Sequence, residues 1–301
     1  MASLYSQRDA NIRRTWFLLG SFLILVIAIG FVFAQAYRSP GILYLAVALA
    51  IGMNLIGYFA SDQIALAMAR AQPIQKKDNP YLWNMVENLA ITAGLPMPRV
   101  FVTPELQVNA FATGRDPKHA AIAVTAGALQ KLENEELEGV LAHELSHVGN
   151  RDTLVMTVAV ILAGIISIAS DFFLRSMWFG GGGGHDRDSD NRGGNLFAVV
   201  GIALAILAPI GAMLIQLAIS RKREFLADAS GALLTRYPEG LARALEKIGG
   251  DRTPMQAASD ATAHLWISNP FKGKAISGFH KLFLTHPPIA ERIAALRGMA
   301  T

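Results

Sequence analysis

The sequence LAHELSHVGN occupies Leu141–Asn150 and contains two histidines four residues apart. On a helix, residues at this spacing lie one turn above each other, so His143 and His147 can bind one zinc ion through their imidazoles. Glu144 falls beside them, where its carboxylate can accept a proton from a zinc-bound water. The alternative is a pair of helix-surface histidines that bind nothing. The spacing therefore predicts a candidate zinc site with its own general base.

Local sequence predicts an amphipathic helix around this motif. Asn134 is the predicted N-cap, and Glu135 and Glu136 follow in the first turn, where the helix dipole favours negative charge. Gly139 lies four residues before His143, and a glycine inside a helix costs about 1 kcal/mol relative to alanine. We consider two explanations of this glycine. It gives clearance for a substrate or a fourth metal ligand, or it allows another helix to pack closely. Apolar residues recur at core-facing spacing at Leu137, Val140, Leu141 and Leu145.

Composition indicates a membrane protein. The chain has 301 residues, of which 52% are hydrophobic and 17% charged, which is too apolar for an ordinary soluble protein. It contains no cysteine, so disulfides, thiolate metal ligands and a cysteine nucleophile are excluded. The net charge is +4, and the basic residues cluster beside apolar segments, which favours a lipid bilayer and not nucleic acid as a partner.

Four stretches are long and apolar enough to span a bilayer, at about twenty residues each. The first could be a secretory signal instead, but its apolar run exceeds a signal core and the second follows after only Tyr37–Pro40. A helical hairpin is therefore expected at 15–60. The predicted spans are Thr15–Ala34, Gly41–Ala60, Leu154–Leu174 and Leu196–Ile219.

The distribution of basic residues predicts the orientation of these spans. Lys and Arg precede the first span and follow the second and fourth, and such flanks face the cytoplasm. Both termini and the catalytic region are therefore expected in the cytoplasm, with the metal roughly 10 Å from the membrane boundary. The predicted division is a cytosolic N-terminus at 1–14, a hairpin at 15–60, a catalytic part at 61–153, a span at 154–174, a translocated glycine-rich loop at 175–195, a span at 196–219 and a second catalytic part at 220–301.

A small sheet is predicted immediately before the motif helix. Three short β-like runs lie at Arg99–Val102, Val108–Ala112 and Ala120–Thr125. The middle run is a candidate edge strand for binding an extended peptide through main-chain hydrogen bonds, and an ordinary structural hairpin is an equal alternative. Helices are predicted at Asn79–Ala93, Pro238–Ile248 and Ile289–Leu296.

A third metal ligand is expected from the segment after the fourth span. Glu224 and Asp228 lie one turn apart on one helical face, so Glu224 can coordinate the metal while Asp228 accepts a hydrogen bond from the far nitrogen of a ligating histidine. In the alternative arrangement, both carboxylates pair with the basic run Arg221–Arg223 on a solvated face.

Five features together resemble the HtpX family of bacterial inner-membrane zinc endopeptidases, which are relatives of the membrane prenyl-protein proteases. They are HELSH at 143–147, REFLAD at 223–228, VNAFATG at 108–114, the segment Thr285–Pro288 with Arg292, and the four-span layout. The resemblance covers nearly the whole chain. It implies a mainly α membrane protein in which four transmembrane helices carry a cytosolic zincin-like (gluzincin) α+β catalytic domain with a small sheet.

The same resemblance implies residue roles and substrates. One zinc ion is held by His143, His147 and Glu224, and Glu144 activates water. Asn109, with its neighbours Ala110 and Phe111, holds the substrate backbone, and His286 stabilises the oxyanion. A histidine before two prolines is otherwise more often structural. The implied substrates are damaged or misassembled membrane proteins and unfolded proteins, cleaved as quality control in the inner membrane, and the oligomeric state stays open.

Two other classes are considered. The first is a catalytically inactive membrane scaffold that binds a structural zinc ion or no metal. The position of Glu144 beside the ligand pair argues against this class. A transporter needs an ionisable residue at mid-depth in a span, and the predicted spans have only Asp171 near one end. We therefore expect a peptide-bond hydrolase.

Overall fold

The computed structural model describes residues 4–36, 38–159, 162, 221–256, 265–268, 270 and 287–299. The predicted loop at 175–195, the fourth predicted span, most of the third and His286 lie outside the described residues. The helices are α1 (Leu4–Ala36), α2 (Pro40–Phe59), α3 (Ser61–Met68), α4 (Pro80–Thr92), α5 (Ala126–Lys131), α6 (Asn134–Gly149), α7 (Arg221–Thr235), α8 (Pro238–Gly250) and α9 (Ile289–Arg297), and residues 152–159 are also helical. The strands are β1 (Gln72–Pro73), β2 (Arg99–Thr103), β3 (Ala110–Thr113) and β4 (Ala121–Thr125).

Helices α1 and α2 form the predicted hairpin. Asp9–Gln35 and Pro40–Phe59 are long and apolar enough to cross a membrane, with mean hydropathies of 2.8 and 2.0. In the most apolar 18-residue stretch of each helix, only 28% and 11% of the residues are buried, whereas a core helix of a soluble protein is mostly buried. Helix α1 begins at Leu4, so it extends well before the apolar stretch that predicted the first span.

The four-stranded sheet has the order β1-β2-β4-β3. Strands β2 and β4 are parallel, while β1 and β3 pair antiparallel with their neighbours. The three predicted strands are present with shifted ends, and β1 was missed because two residues are too short to show a pattern. Strand β3 is therefore at one edge of the sheet, as the candidate substrate strand was predicted to be.

Both faces of the sheet are buried. Alternate residues of the strands point to opposite faces. Val100, Ile122 and Val124 belong to the core that includes α4, α6 and α8. Phe101 and Phe111 belong to a second core that includes α3. Packing on both faces of the sheet therefore holds β3 in position next to α6.

The motif helix α6 starts one residue earlier than predicted, because its N-cap is Glu133 and not Asn134. The backbone N–H of Glu133 donates to the carboxylate of Glu136 at 2.8 Å, which is half of a capping box. The side-chain oxygen of Asn134 is used elsewhere, because it accepts a hydrogen bond from the Tyr81 hydroxyl at 2.7 Å.

Two glycines allow other helices to approach α6. A Cβ on Gly139 would lie 2.7 Å from the backbone nitrogen of Leu241 in α8, so close packing and not clearance for a substrate explains this glycine. A Cβ on Gly231 of α7 would lie 2.9 Å from the backbone nitrogen of His143. This second approach lets α7 lie directly against the metal-binding face of α6.

We predict that Gly139→Ala lowers the melting temperature of the protein. Alanine is the better helix former by about 1 kcal/mol, but its Cβ would overlap the backbone of Leu241, and overpacking costs typically ~1–3 kcal/mol. Thermal unfolding in detergent measures the change. The matched control is Gly250→Ala at the end of α8, where a Cβ meets nothing within 4 Å. Equal melting temperatures for the two variants would contradict the packing argument.

Candidate metal centre and active site

Three predicted metal ligands lie together in the buried space between α6 and α7. The Nε2 atoms of His143 and His147 are 3.1 Å apart, and carboxylate oxygens of Glu224 lie 3.9 Å from the first and 3.5 Å from the second. Each residue is at most 5% exposed. With metal–ligand bonds of 2.0–2.1 Å, ligands of a tetrahedral zinc lie about 3.3 Å apart. The spacing of these three side chains therefore fits one zinc-sized cation.

The far nitrogen of each imidazole contacts a buried carboxylate. His143 Nδ1 lies 2.9 Å from Asp228 Oδ1, which is the contact expected from sequence, and His147 Nδ1 lies 3.1 Å from Asp152 Oδ2. An ionised carboxylate only accepts hydrogen bonds, so both Nδ1 atoms carry hydrogen and both Nε2 lone pairs face the centre. Two lone pairs at this distance repel unless a proton or a cation lies between them. The donor set therefore suits a metal ion.

The two histidines differ in their affinity for a proton. Burial lowers the pKa of His143 to about 4. Burial also opposes charge on His147, but the hydrogen bond to Asp152 and the negative charge of Glu224 outweigh it and raise its pKa to about 9. The negative groups around His147 thus favour positive charge at this side of the site, which a bound cation would also supply.

Asp152 was not singled out from the sequence. Helix α6 ends at Gly149, and Arg151 adopts a left-handed backbone conformation with φ of 60°. This turn reverses the chain, so that Asp152, which is fully buried, returns beneath His147. The signal available in the sequence was the Gly149-Asn150 pair, a common helix stop, followed by a carboxylate.

Glu144, the predicted base, lies beside the metal group and is 3% exposed. Its carboxylate accepts a hydrogen bond from the backbone N–H of Ala112 in β3. Burial is the main cause that raises its pKa to about 7. Glu144, Ala112 and the metal group line one cavity of about 260 Å³. A proton acceptor and a metal site thus share one small space.

Arg292 of α9 completes the buried charge network. Its guanidinium donates to both oxygens of Asp228, at 2.8 and 2.7 Å, and its Nη1 lies 3.6 Å from Glu224. Burial opposes ionisation of Asp228, but Arg292 and the hydrogen bond from His143 lower the pKa of that carboxyl to about 2. Both carboxylates of α7 are buried and face the histidines, so the alternative of a solvated face does not hold.

The predicted substrate strand contacts the protein's own chain. The side-chain amide of Asn109 donates to the carbonyl of Ser268 at 3.0 Å. The carbonyl of Ala110 accepts a hydrogen bond from the backbone N–H of Ile267 at 3.0 Å. The outer edge of β3 is therefore paired, at this point, with the segment 265–268.

Aromatic packing anchors the same segment. The ring of Phe111 meets that of Trp266 edge to face with centroids 4.7 Å apart, and both side chains are at most 1% exposed. Trp266 also lines the cavity beside Glu144. Of the predicted site residues, only His286 lies outside the described part of the chain, although helix α9 follows it closely, as expected.

We predict that Glu144→Gln stabilises the metal-stripped protein in a pH-dependent manner. The pKa of Glu144 is about 7 in the folded protein, above the ordinary value of 4.5. Ionisation of this carboxyl therefore lowers the free energy of unfolding progressively between pH 4.5 and 7, and by a constant amount above pH 7. The gain from glutamine should be small at pH 4.5 and reach about 3 kcal/mol at pH 8. Melting temperatures at both pH values test this, with the exposed Glu135→Gln as control. A gain that does not change with pH would contradict it.

Comparison with known proteins gives a consistent result. The model of Peptidase family M48 matches residues 76–300. A Protease HtpX homolog of Thermoanaerobacter pseudethanolicus is 47% identical over 299 residues, covering 99% of this chain and 98% of that protein. A homolog of Streptococcus gordonii is 43% identical over 299 residues and covers 98% and 100%. The crystal structure of S. mikatae Ste24p aligns with a TM-score of 0.48 at 18% identity, over 97% of this chain and 67% of that chain.

The family match includes the metal group and Glu144, and the HtpX proteases align with nearly the whole chain. The resemblance to HtpX proteases is therefore confirmed by overall sequence similarity as well as by short motifs. On this basis the chain, with its buried His-His-Glu group and its two candidate membrane helices, belongs to peptidase family M48 and is a metalloprotease.

Proposed function

We propose that the protein is a zinc-dependent endopeptidase of the bacterial inner membrane that cleaves damaged or misfolded membrane proteins from the cytosolic side. The observation that carries this proposal is the single cavity in which the metal group meets Glu144. Histidine nitrogens and a carboxylate are the ligand set that catalytic zinc takes in peptidases, with a further position left for water. One zinc ion per chain is expected.

The proposed mechanism is metal-assisted hydrolysis of a peptide bond. Zinc held by His143, His147 and Glu224 would supply Lewis acidity and lower the pKa of bound water. Glu144 accepts the proton of the attacking water and later passes it to the leaving amine. The N–H of Ala112 holds the Glu144 carboxylate towards the cavity throughout. We propose that His286, which lies outside the described residues, stabilises the oxyanion.

The contact between α1 and the catalytic region supports a cytosolic active site. Asn11, near the start of α1, donates a hydrogen bond to Asp152, which contacts His147. The exposed residues Arg13 and Arg14 therefore lie at the same end of α1 as the metal group. Positive flanks of a membrane helix face the cytoplasm. We propose four spans in all, with both termini and the active site in the cytoplasm and the loop 175–195 translocated.

The small cavity at Glu144 supports unfolded or misfolded proteins as substrates. A space of about 260 Å³ cannot admit a folded domain, so only an extended segment of chain can reach Glu144. We propose that such a segment pairs with the outer edge of β3 near Asn109, Ala110 and Phe111, through main-chain hydrogen bonds. Because Ile267 already donates to the Ala110 carbonyl, the substrate must displace the segment 265–268 at that point.

The first test compares zinc content and proteolysis of detergent-purified variants. Glu144→Gln should retain one zinc and lose cleavage of casein or an unfolded membrane protein, because it removes the base and no ligand. Glu224→Ala should lose zinc or bind it much more weakly. Glu135→Gln on the exposed side of α6 is the matched control and should resemble the wild type.

Each result has a distinct meaning for the proposal. Cleavage by Glu144→Gln would remove Glu144 from the mechanism, and zinc unaffected by Glu224→Ala would move the third ligand elsewhere. Full zinc occupancy in a wild type that cleaves nothing would favour the scaffold function. Only metal-dependent cleavage by the wild type supports the endopeptidase.

A second test addresses the substrate edge. Trp266→Ala removes the aromatic anchor of the segment 265–268 and should lower KM for an unfolded substrate severalfold, with kcat changed less, because the substrate displaces a weaker competitor. Zinc content measures whether the site stays intact. A KM that rises while zinc is retained would show that Trp266 contacts substrate and does not obstruct it.

A further inference from the structure

The carboxylate that orients His147 is itself held by the first candidate membrane helix. Asp152 uses Oδ2 for His147 Nδ1, while Oδ1 accepts a hydrogen bond from the side-chain amide of Asn11 at 2.6 Å. The same amide nitrogen donates to the carbonyl of Asn150 at 2.9 Å. Asn11 is fully buried. Both of its amide hydrogens thus fix the turn that carries Asp152.

The remaining polar atom of Asn11 faces the other metal-bearing helix. Its Oδ1 accepts a hydrogen bond from Arg223 at 3.4 Å, and Arg223 directly precedes Glu224 in α7. Arg223 Nε also lies 3.7 Å from Asp152 Oδ1. One amide in α1 therefore contacts both Asp152, which orients His147 of α6, and the residue that precedes Glu224 in α7.

Apolar packing sets the position of this amide. Further along α1, Leu18, Leu19 and Phe22 are buried against Leu154, Val155 and Val158, in the helical stretch that begins at Asp152. Leucine at position 11 would fit the size of the site but would leave the Asp152 carboxylate and the Asn150 carbonyl without this donor. A buried acceptor that loses its partner destabilises the fold or moves to find another donor.

From these contacts we propose that Asn11 is a positioning residue that holds Asp152 against His147 and thereby makes metal binding depend on the first membrane helix. The inference rests on the proposed role of His147 as a metal ligand. Removing such an outer hydrogen bond typically weakens metal affinity by about 10–100-fold. The hydrogen bond fixes the tautomer and direction of the His147 ring, so its loss leaves the metal group intact but less ordered.

The test measures the zinc dissociation constant of detergent-purified full-length protein by competition with a chelator. Asp152→Ala should weaken binding about 10–100-fold and Asn11→Leu about 10-fold. In the double variant the two effects should not add, because Asn11 acts through Asp152. Asn11→Ala tests the same contact with less added bulk and should also weaken binding.

The control separates positioning from general stability. Leu18→Ala removes apolar packing of α1 without touching Asp152, so it should lower the melting temperature while the zinc dissociation constant stays within about 2-fold of wild type. If Asn11→Leu and Asn11→Ala bind zinc as the wild type does, or lose affinity additively with Asp152→Ala, the proposal is overturned. A wild type that binds no zinc would instead overturn the proposed function.

Discussion

Two buried hydrogen bonds between carboxylates and imidazoles hold the candidate metal group in place. Asp228 and Asp152 each accept from the far nitrogen of one histidine, so both Nε2 lone pairs converge on one point. The surrounding structure provides these two carboxylates. The turn at Arg151 returns Asp152 to α6, and the close approach at Gly231 brings α7 with Asp228 and Glu224 to the same face.

Charge balance explains why such a polar centre can be buried. Four carboxylates and two guanidiniums lie within the described part of the site, and buried charges destabilise a fold unless they are paired. The two guanidiniums offset two of the carboxylates, and a divalent cation would offset the other two. The raised pKa of Glu144 has the same origin, because burial destabilises its charged form and the charge of Glu224 adds to this effect. The groups concerned are Glu144, Asp152, Glu224, Asp228, Arg223 and Arg292.

The surroundings of the site connect catalysis to the membrane and to substrate shape. The amide of Asn11 contacts Asp152 and Arg223, so a candidate membrane helix is part of the support of the site. The segment 265–268 pairs with β3 and lines the cavity. Under the proposed function, an extended substrate would compete for that edge.

The sequence by itself determined the motif helix, the hairpin and the chemical type of the site. Periodicity predicted α6, two long apolar runs predicted the hairpin, and the spacing of His143, Glu144 and His147 predicted the metal chemistry, because such patterns are local. The sequence also predicted the support from Asp228, but only the tertiary structure decided the supporting roles of Asn11, Asp152 and Arg292. Asn11 and Asp152 are 141 residues apart and Asp228 and Arg292 are 64 apart. No local pattern records such contacts, because they exist only once packing of separate helices has brought buried donors to buried acceptors.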